Sequence, residues 1–358
     1  MSFREILGQR AAIDLLRRVF ASGRLPHALL FQGPAGVGKA LAARALAAAL
    51  QCREGGPDAC GTCPPCVKLA QGNHPDFLWF TRLPKKEAAS RGEEPGEAGA
   101  DDTEDLRSDL KRDITIEQIR DLADHASYAP REGRRRVFAI DPADRMNLSA
   151  QNALLKTLEE PPGSSLLVLV TSRPQVLLPT VRSRCFVVRF AAMPTDALAA
   201  ALESRGVPHA EALARAALSE GRPRIAAALD VEARRARREE ILSAIETVAA
   251  RGRGLAKLPA LASKLAGRDE ESLIEGLDLV EALLRDAERA ALELPAGSLV
   301  HADLHERLSS LGRDIGPERA AEIIRFADRV RDDLRFSLNK TLVAEALLAA
   351  IAGAPVPY

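Results

Sequence analysis

The sequence predicts an α/β domain with a parallel sheet and flanking helices, followed by a small helical domain and a C-terminal all-α helical bundle. Three observations carry that reading. Short, continuously apolar segments at 27–32, 136–141, 166–170 and 185–190 alternate with helical stretches, the pattern of strands buried on both faces of a parallel sheet. After Pro194 the strand signals stop and only helical periodicity remains. Aromatic residues make up 4% of the chain while Ala, Leu and Arg are abundant, which favours helices over a β-sandwich. At 358 residues the chain is too long for a single core, so two or three domains are expected.

The elements follow in order. The strand at 27–32 runs into a Gly-rich turn, and a helix is expected from about 38 to 50. Four cysteines then lie among Gly and Pro at 52–66. Residues 82–112 form a stretch whose middle, 92–105, is almost all Gly, Glu, Asp, Ala and Pro. That composition cannot bury a core and reads as a mobile acidic insertion. A helix at 115–126, the strand at 136–141 and a helix at 148–159 come next, the last stopped by Pro161-Pro162. Strands at 166–170 and 185–190 complete the sheet. Residues 195–230 read as three short helices broken at Gly206-Val207-Pro208 and Gly221-Arg222-Pro223, and a second helical region reaches about 352. The expected domains are 1–192, 193–234 and 235–358.

Gly33-Pro34-Ala35-Gly36-Val37-Gly38-Lys39-Ala40 fits the phosphate-loop pattern G-x-x-x-x-G-K, with Ala where Ser or Thr is expected. It sits where the mechanism requires, after a strand and opening a helix. Gly33, Gly36 and Gly38 let backbone N–H groups surround phosphates, the helix start adds positive potential, and Lys39 neutralises phosphate oxygens. An ordinary Gly-rich strand-to-helix turn is the rival reading, and the context disfavours it. The departures matter more. Ala40 has no oxygen for a magnesium ion. Asp141, ending an apolar strand, fits the second metal-side position, but the residue after it is Pro142, where many such ATPases carry a Glu that activates water. Asp144, three residues on, is not expected to replace that base. ATP or ADP is therefore expected to bind weakly or not at all, with hydrolysis very slow.

Cys52, Cys60, Cys63 and Cys66 follow the spacing C-x7-C-x2-C-x2-C. Four thiolates so close can surround one tetrahedral Zn²⁺, and a complete Cys₄ shell makes the metal structural. Scattered reduced cysteines and a redox dithiol are the alternatives. Cys185 stands apart and is expected to be a small buried residue. The N-terminus has no apolar signal core and no apolar run reaches membrane length, so a cytoplasmic location and no membrane partner are expected; thiols stay reduced there, which favours metal over disulfides. The formal net charge is zero, so a global positive field for nucleic acid is excluded. Basic runs at 134–136 and 234–238 lack interleaved aromatics and read as solvated faces, and no groove-reading helix is evident.

Taken with the loop and the cysteines, Asn152-Ala153-Leu154-Leu155-Lys156-Thr157-Leu158-Glu159-Glu160-Pro161-Pro162 and Ser183-Arg184-Cys185 resemble bacterial sliding-clamp loader subunits of the AAA+ class. The likeness extends through the helical region to Leu338-Asn339-Lys340. That family has an ATP-hydrolysing branch (gamma/tau) and a branch with a degraded ATP site (delta prime) in DNA polymerase III, and Ala40 and Pro142 put this chain with the second. The resemblance implies an AAA+ domain, a helical lid and a collar-type helical domain. It implies a hetero-pentamer with gamma/tau and delta subunits that opens a sliding clamp and places it on primed DNA. Arg184 would be an arginine finger directed at a neighbour's ATP; Thr171 would match the γ-phosphate sensor and Arg224 the second sensor. It also implies that any polymerase label comes from the holoenzyme, because no nucleotidyl-transfer carboxylate set is recognisable. An active ATPase motor, or a direct DNA-binding zinc protein, are the competing functions. Apolar spacing at Leu342, Leu347, Leu348 and Ile351 fits core and interface alike.

Overall fold

The computed structural model describes residues 1–83, 113–250, 255–295, 299–333 and 338–356. All but the first two residues of the acidic stretch at 82–112 lie outside them. The chain forms two compact units, Met1–Ala228 and Leu229–Tyr358.

In the first unit, strands β1 (Ala28–Gln32), β2 (Phe77–Phe80), β3 (Arg136–Ile140), β4 (Ser165–Thr171) and β5 (Phe186–Arg189) make one sheet in the order β2-β3-β4-β1-β5. Every pairing is parallel. The continuous apolar runs have a simple cause. Alternate residues face opposite sides of a strand, and both sides are covered. Leu29, Phe31, Val137, Val168 and Val170 pack with Ala42, Ala43 and Leu46 of helix α1 (Lys39–Gln51). Leu30, Phe138, Ile140, Leu167 and Leu169 pack with Ile119 and Leu122 of α2 (Ile116–Ser127) and Leu154 and Leu158 of α3 (Leu148–Glu159).

Two elements escape the sequence pattern. The helix Arg10–Ala21 buries only Ala12, Ile13 and Leu16. Strand β2, Phe-Leu-Trp-Phe, is four residues long and sits at the sheet edge, with Phe80 alone fully buried. Just before it, Asp76 is 0% exposed and accepts the backbone N–H groups of Arg131, Glu132 and Gly133 at 2.7 Å each. Burial pushes its carboxyl up, but those donors and Arg136 outweigh it and hold the pKa below the usual carboxylate range. The solvated reading of the run at 134–136 is corrected at Arg136. It is buried and bonds Asp76 and the carbonyl of His125.

Helices Thr195–Glu203, His209–Leu218 and Pro223–Ala228 gather a small core of Leu198, Leu202, Ala212, Ala216 and Ala226. The second unit is helical, with elements at Val231–Ala249, Leu258–Ala266, Glu270–Ala291, His305–Ile315, Pro317–Asp333 and Lys340–Ile351. Leu347, Leu348 and Ile351 belong to its core, whereas Leu342 is exposed. The run at 234–238 also departs from a solvated face. Arg234 and Arg238 are buried and paired with Glu275 and Asp303, because their stems lie along apolar surface while carboxylates neutralise the heads. Among the described residues, no helix is long and apolar enough to cross a membrane.

Candidate functional site

The phosphate loop lies at the carboxyl edge of the sheet, where open α/β sheets bind ligands. Register brings its parts together: Gln32, just before Gly33, pairs with Thr171 at the end of β4, and β3 ends beside β4 at Ile140, one residue before Asp141. Gly38 caps α1 with φ +100°, and Gly36 has φ +81°, backbone conformations that side chains disfavour. The Gly36 carbonyl accepts the Arg224 N–H at 3.1 Å, so the helix Pro223–Ala228 starts against the loop. Ala40 occupies the first turn of α1, where its methyl offers no metal ligand.

Lys39 and Asp144 already hold protein partners. Lys39 is 7% exposed and its Nζ donates to the carbonyls of Gly33 at 2.7 Å and Pro34 at 2.6 Å. Burial lowers its pKa to about 8, against the opposing pull of Asp141 and Asp144. Burial likewise pushes Asp141 up to about 6, with Lys39 and Arg224 opposing and Asp144 adding to the rise. Each group disfavours its own charge in this site. Asp144 engages both oxygens: Thr171 Oγ1 donates to one at 2.7 Å, and Arg173 Nε and Nη2 donate to the other at 3.0 and 2.9 Å. Thr171 also accepts the Arg173 N–H at 3.0 Å. This Thr171–Asp144–Arg173 closure is not legible in the sequence, because its members come from the ends of β3 and β4, brought together only by strand pairing.

Arg184 lies elsewhere. It ends the short helix α4 (Pro179–Ser183) and precedes β5, at the amino edge of the sheet. It is half-exposed, its Nη1 donates to the Thr180 carbonyl at 3.0 Å, and its Nη2 pairs with Glu159 at 2.7 Å. Gln151 of α3 fastens the segment leading into α4. Its buried amide donates to the carbonyls of Met146 and Val176 and accepts the Leu178 N–H at 2.7 Å. Cys185 is buried, as its isolation suggested.

The four cysteines converge. Cys52 ends α1, Cys63 caps the helix Pro64–Ala70, and Cys66 lies in that helix. Their sulfurs all lie within 4.8 Å of one another, with Cys60–Cys66 and Cys52–Cys63 at 4.0 Å. Tetrahedral Zn²⁺ with bonds of about 2.3 Å sets S···S near 3.8 Å, whereas a disulfide needs about 2.05 Å. The set therefore fits a metal. The N–H of Cys63 points at Cys60 Sγ at 3.3 Å, and this donor leads the causes that lower Cys60 to about 6, whereas burial pushes Cys66 up to about 12. Within the same segment Asp58 accepts Ser2 Oγ at 2.9 Å and the Phe3 N–H at 3.0 Å, tying the cluster to the N-terminal turn.

Parallel strand order and a Gly-rich loop opening a helix at the carboxyl edge define an α/β domain of the phosphate-loop class. The chain belongs to the family described as DNA polymerase III, delta subunit, whose profile matches residues 8–194. It is a member of the DNA polymerase III clamp-loader group that includes delta', gamma and tau subunits. It is 37% identical over 226 residues to the DNA polymerase III subunit delta' of Pseudomonas aeruginosa, covering 62% of this chain and 60% of that protein. It is 38% identical over 203 residues to the subunit gamma/tau of Mycobacterium tuberculosis, covering 56% of this chain and 30% of that protein. The chain thus spans less than two thirds of either relative. A solved DNA polymerase III gamma-subunit-related protein from Thermotoga maritima aligns with TM-score 0.38 at 18% identity, covering 95% of this chain and 98% of that one.

Proposed function

We propose that this chain is a delta prime-type clamp-loader subunit. It assembles with gamma/tau and delta subunits into a hetero-pentamer that loads the sliding clamp onto primed DNA, and it supplies Arg184 to a neighbour's ATP while its own ATP site is inactive. The observation that carries this reading is the separation of the two sites. Arg184 precedes β5, which pairs with β1 in the register Leu29↔Phe186, so Arg184 stands level with the start of β1 and the loop with its end. Across the five residues of β1, at roughly 3.3 Å each, that gap is about 13–17 Å, more than an arginine side chain spans. A half-exposed arginine that cannot reach its own loop is free to serve another chain.

The inactive-site half of the proposal rests on Ala40, on Pro142, and on an Asp144 whose oxygens are both engaged. An active gamma/tau-like motor is the second reading, since relatives of both kinds match at 37% and 38% identity; residues 40 and 142 favour the first. In the same reading the four cysteines hold a structural Zn²⁺, which would supply cross-linking of the 52–66 segment. In this proposal the chain comprises an AAA+ domain (1–192), a lid (193–234) and a helical domain (235–358) that carries assembly. The test is ATP turnover by the isolated chain and by the reconstituted complex. The isolated chain is expected to be inert; turnover near one per second that Lys39→Ala abolishes would sink the proposal in favour of the motor.

A further inference from the structure

We infer that Glu159 is a positioning residue for Arg184, holding the guanidinium at the orientation in which it meets the neighbour's nucleotide; this rests on the finger reading above. The geometry is specific. Leu158, Val181 and Cys185 are buried in one core cluster, so the residues that follow Leu158 and precede Cys185, Glu159 and Arg184, emerge side by side. Buried Gln151 fixes the intervening segment to α3 at two points, the Val176 carbonyl and the Leu178 N–H, so this juxtaposition is held by packed elements. The guanidinium is then gripped twice, by the Thr180 carbonyl at 3.0 Å and by Glu159 at 2.7 Å.

Stability does not account for the pair. Glu159 and Arg184 are 50% and 36% exposed, and ion pairs at such exposure add little. Glu159 is moreover the last residue of α3, where the helix dipole opposes a negative charge. A carboxylate at an unfavourable helix end, directed onto one nitrogen of a half-exposed arginine, restricts the rotamers of a long side chain. An arginine already ordered loses less conformational freedom when it docks on phosphate oxygens.

The experiment uses the reconstituted complex with ATP, comparing wild type, Glu159→Gln, Glu159→Asp, Arg184→Ala and the double variant Glu159→Gln/Arg184→Ala. Glu159→Gln is expected to lower kcat roughly 3- to 10-fold (about 0.6–1.4 kcal/mol) with KM for ATP unchanged, and Glu159→Asp is expected to restore part of it. In the Arg184→Ala background Glu159→Gln should have no further effect, as expected when one residue acts through the other. An unchanged or increased kcat in Glu159→Gln, or an effect that persists without Arg184, overturns the inference while leaving the finger intact. If Arg184→Ala itself leaves the rate unchanged, the finger reading fails and the inference falls with it.

Discussion

The phosphate loop and the Arg184 turn occupy opposite edges of one sheet, and they differ in what their charged groups already touch. At the loop, Lys39 bonds its own carbonyls, Asp141 is pushed toward neutrality, and Asp144 is closed by Thr171 and Arg173. At the turn, Arg184 keeps over a third of its side-chain surface exposed while Thr180 and Glu159 each hold one of its guanidinium nitrogens. A phosphate-loop fold can therefore lose its chemistry at one edge and keep a usable cation at the other. The loop identifies the class; it is not where this chain is expected to act.

Truncating Arg184 gives the largest expected effect. Arginine fingers contribute roughly 10³–10⁵ in rate, so Arg184→Ala should lower ATP hydrolysis by the complex about 10³-fold without dissociating it. Steady-state turnover and size-exclusion chromatography of the same sample check both halves. A change under twofold would erase the distinction between the two edges.

Disrupting the proposed zinc site probes the loop side selectively, because α1 begins at the loop and ends at Cys52. Zn²⁺ held at 1,000 times its Kd contributes about 4 kcal/mol, or roughly 8–16 °C in Tm for a unit of this size. Cys63→Ser should show a loss of that order and sub-stoichiometric zinc. Hydrogen exchange should rise at 33–39 and stay unchanged at 179–185. Full stability with no bound metal would remove zinc from the account.

Asp141→Asn is expected to stabilise the chain by about 1–3 kcal/mol at pH 7, since each tenfold change in proton affinity between the folded and unfolded chain is worth about 1.36 kcal/mol. Its folded pKa is raised from 3.8 to about 6. Between these values the folded state binds the extra proton, so wild-type stability falls as pH rises through the window. Below about pH 4 the aspartate is protonated in both states, and the variant's advantage should vanish. Urea melts at pH 4 and 7 test this; equal advantage at both would show that the charge is not the cause.

Much of this was legible in the sequence, and the limits have physical reasons. Parallel strands covered on both faces announce themselves as continuous apolar runs, so β1, β3 and β4 could be read directly. The edge strands are four residues each; β5 is legible in the run at 185–190, whereas Phe-Leu-Trp-Phe of β2 is too short to mark a strand by itself. Asp141 and the four cysteines carry local spacing. Asp144 and Thr171, Glu159 and Arg184, and Gln151 and Leu178 lie 25 or more residues apart in sequence and meet only after strand pairing fixes the connecting segments. Arg136, Arg234 and Arg238 read as surface charge, because composition does not reveal the carboxylates and carbonyls that receive them.

The smallest expected effect is at the residue that most strongly signals an ATPase. Lys39 is conventionally the phosphate-neutralising lysine, yet here its ammonium bonds the loop and sits in a site that lowers its pKa from 10.5 to about 8. Lys39→Met keeps the stem and removes two hydrogen bonds, but it also removes a charge that burial disfavours. These contributions oppose, and the net change at pH 7 should stay within about 1 kcal/mol. The sign of the pH dependence gives a sharper test. Between about pH 8 and 10.5 the unfolded chain binds the proton that the folded chain has released, so wild-type stability should gain with rising pH, and Lys39→Met should lack that gain. In the complex, Lys39→Met should change turnover less than twofold. A hundredfold loss there would mean that nucleotide at this loop takes part in the cycle, and that the two edges of the sheet share the chemistry.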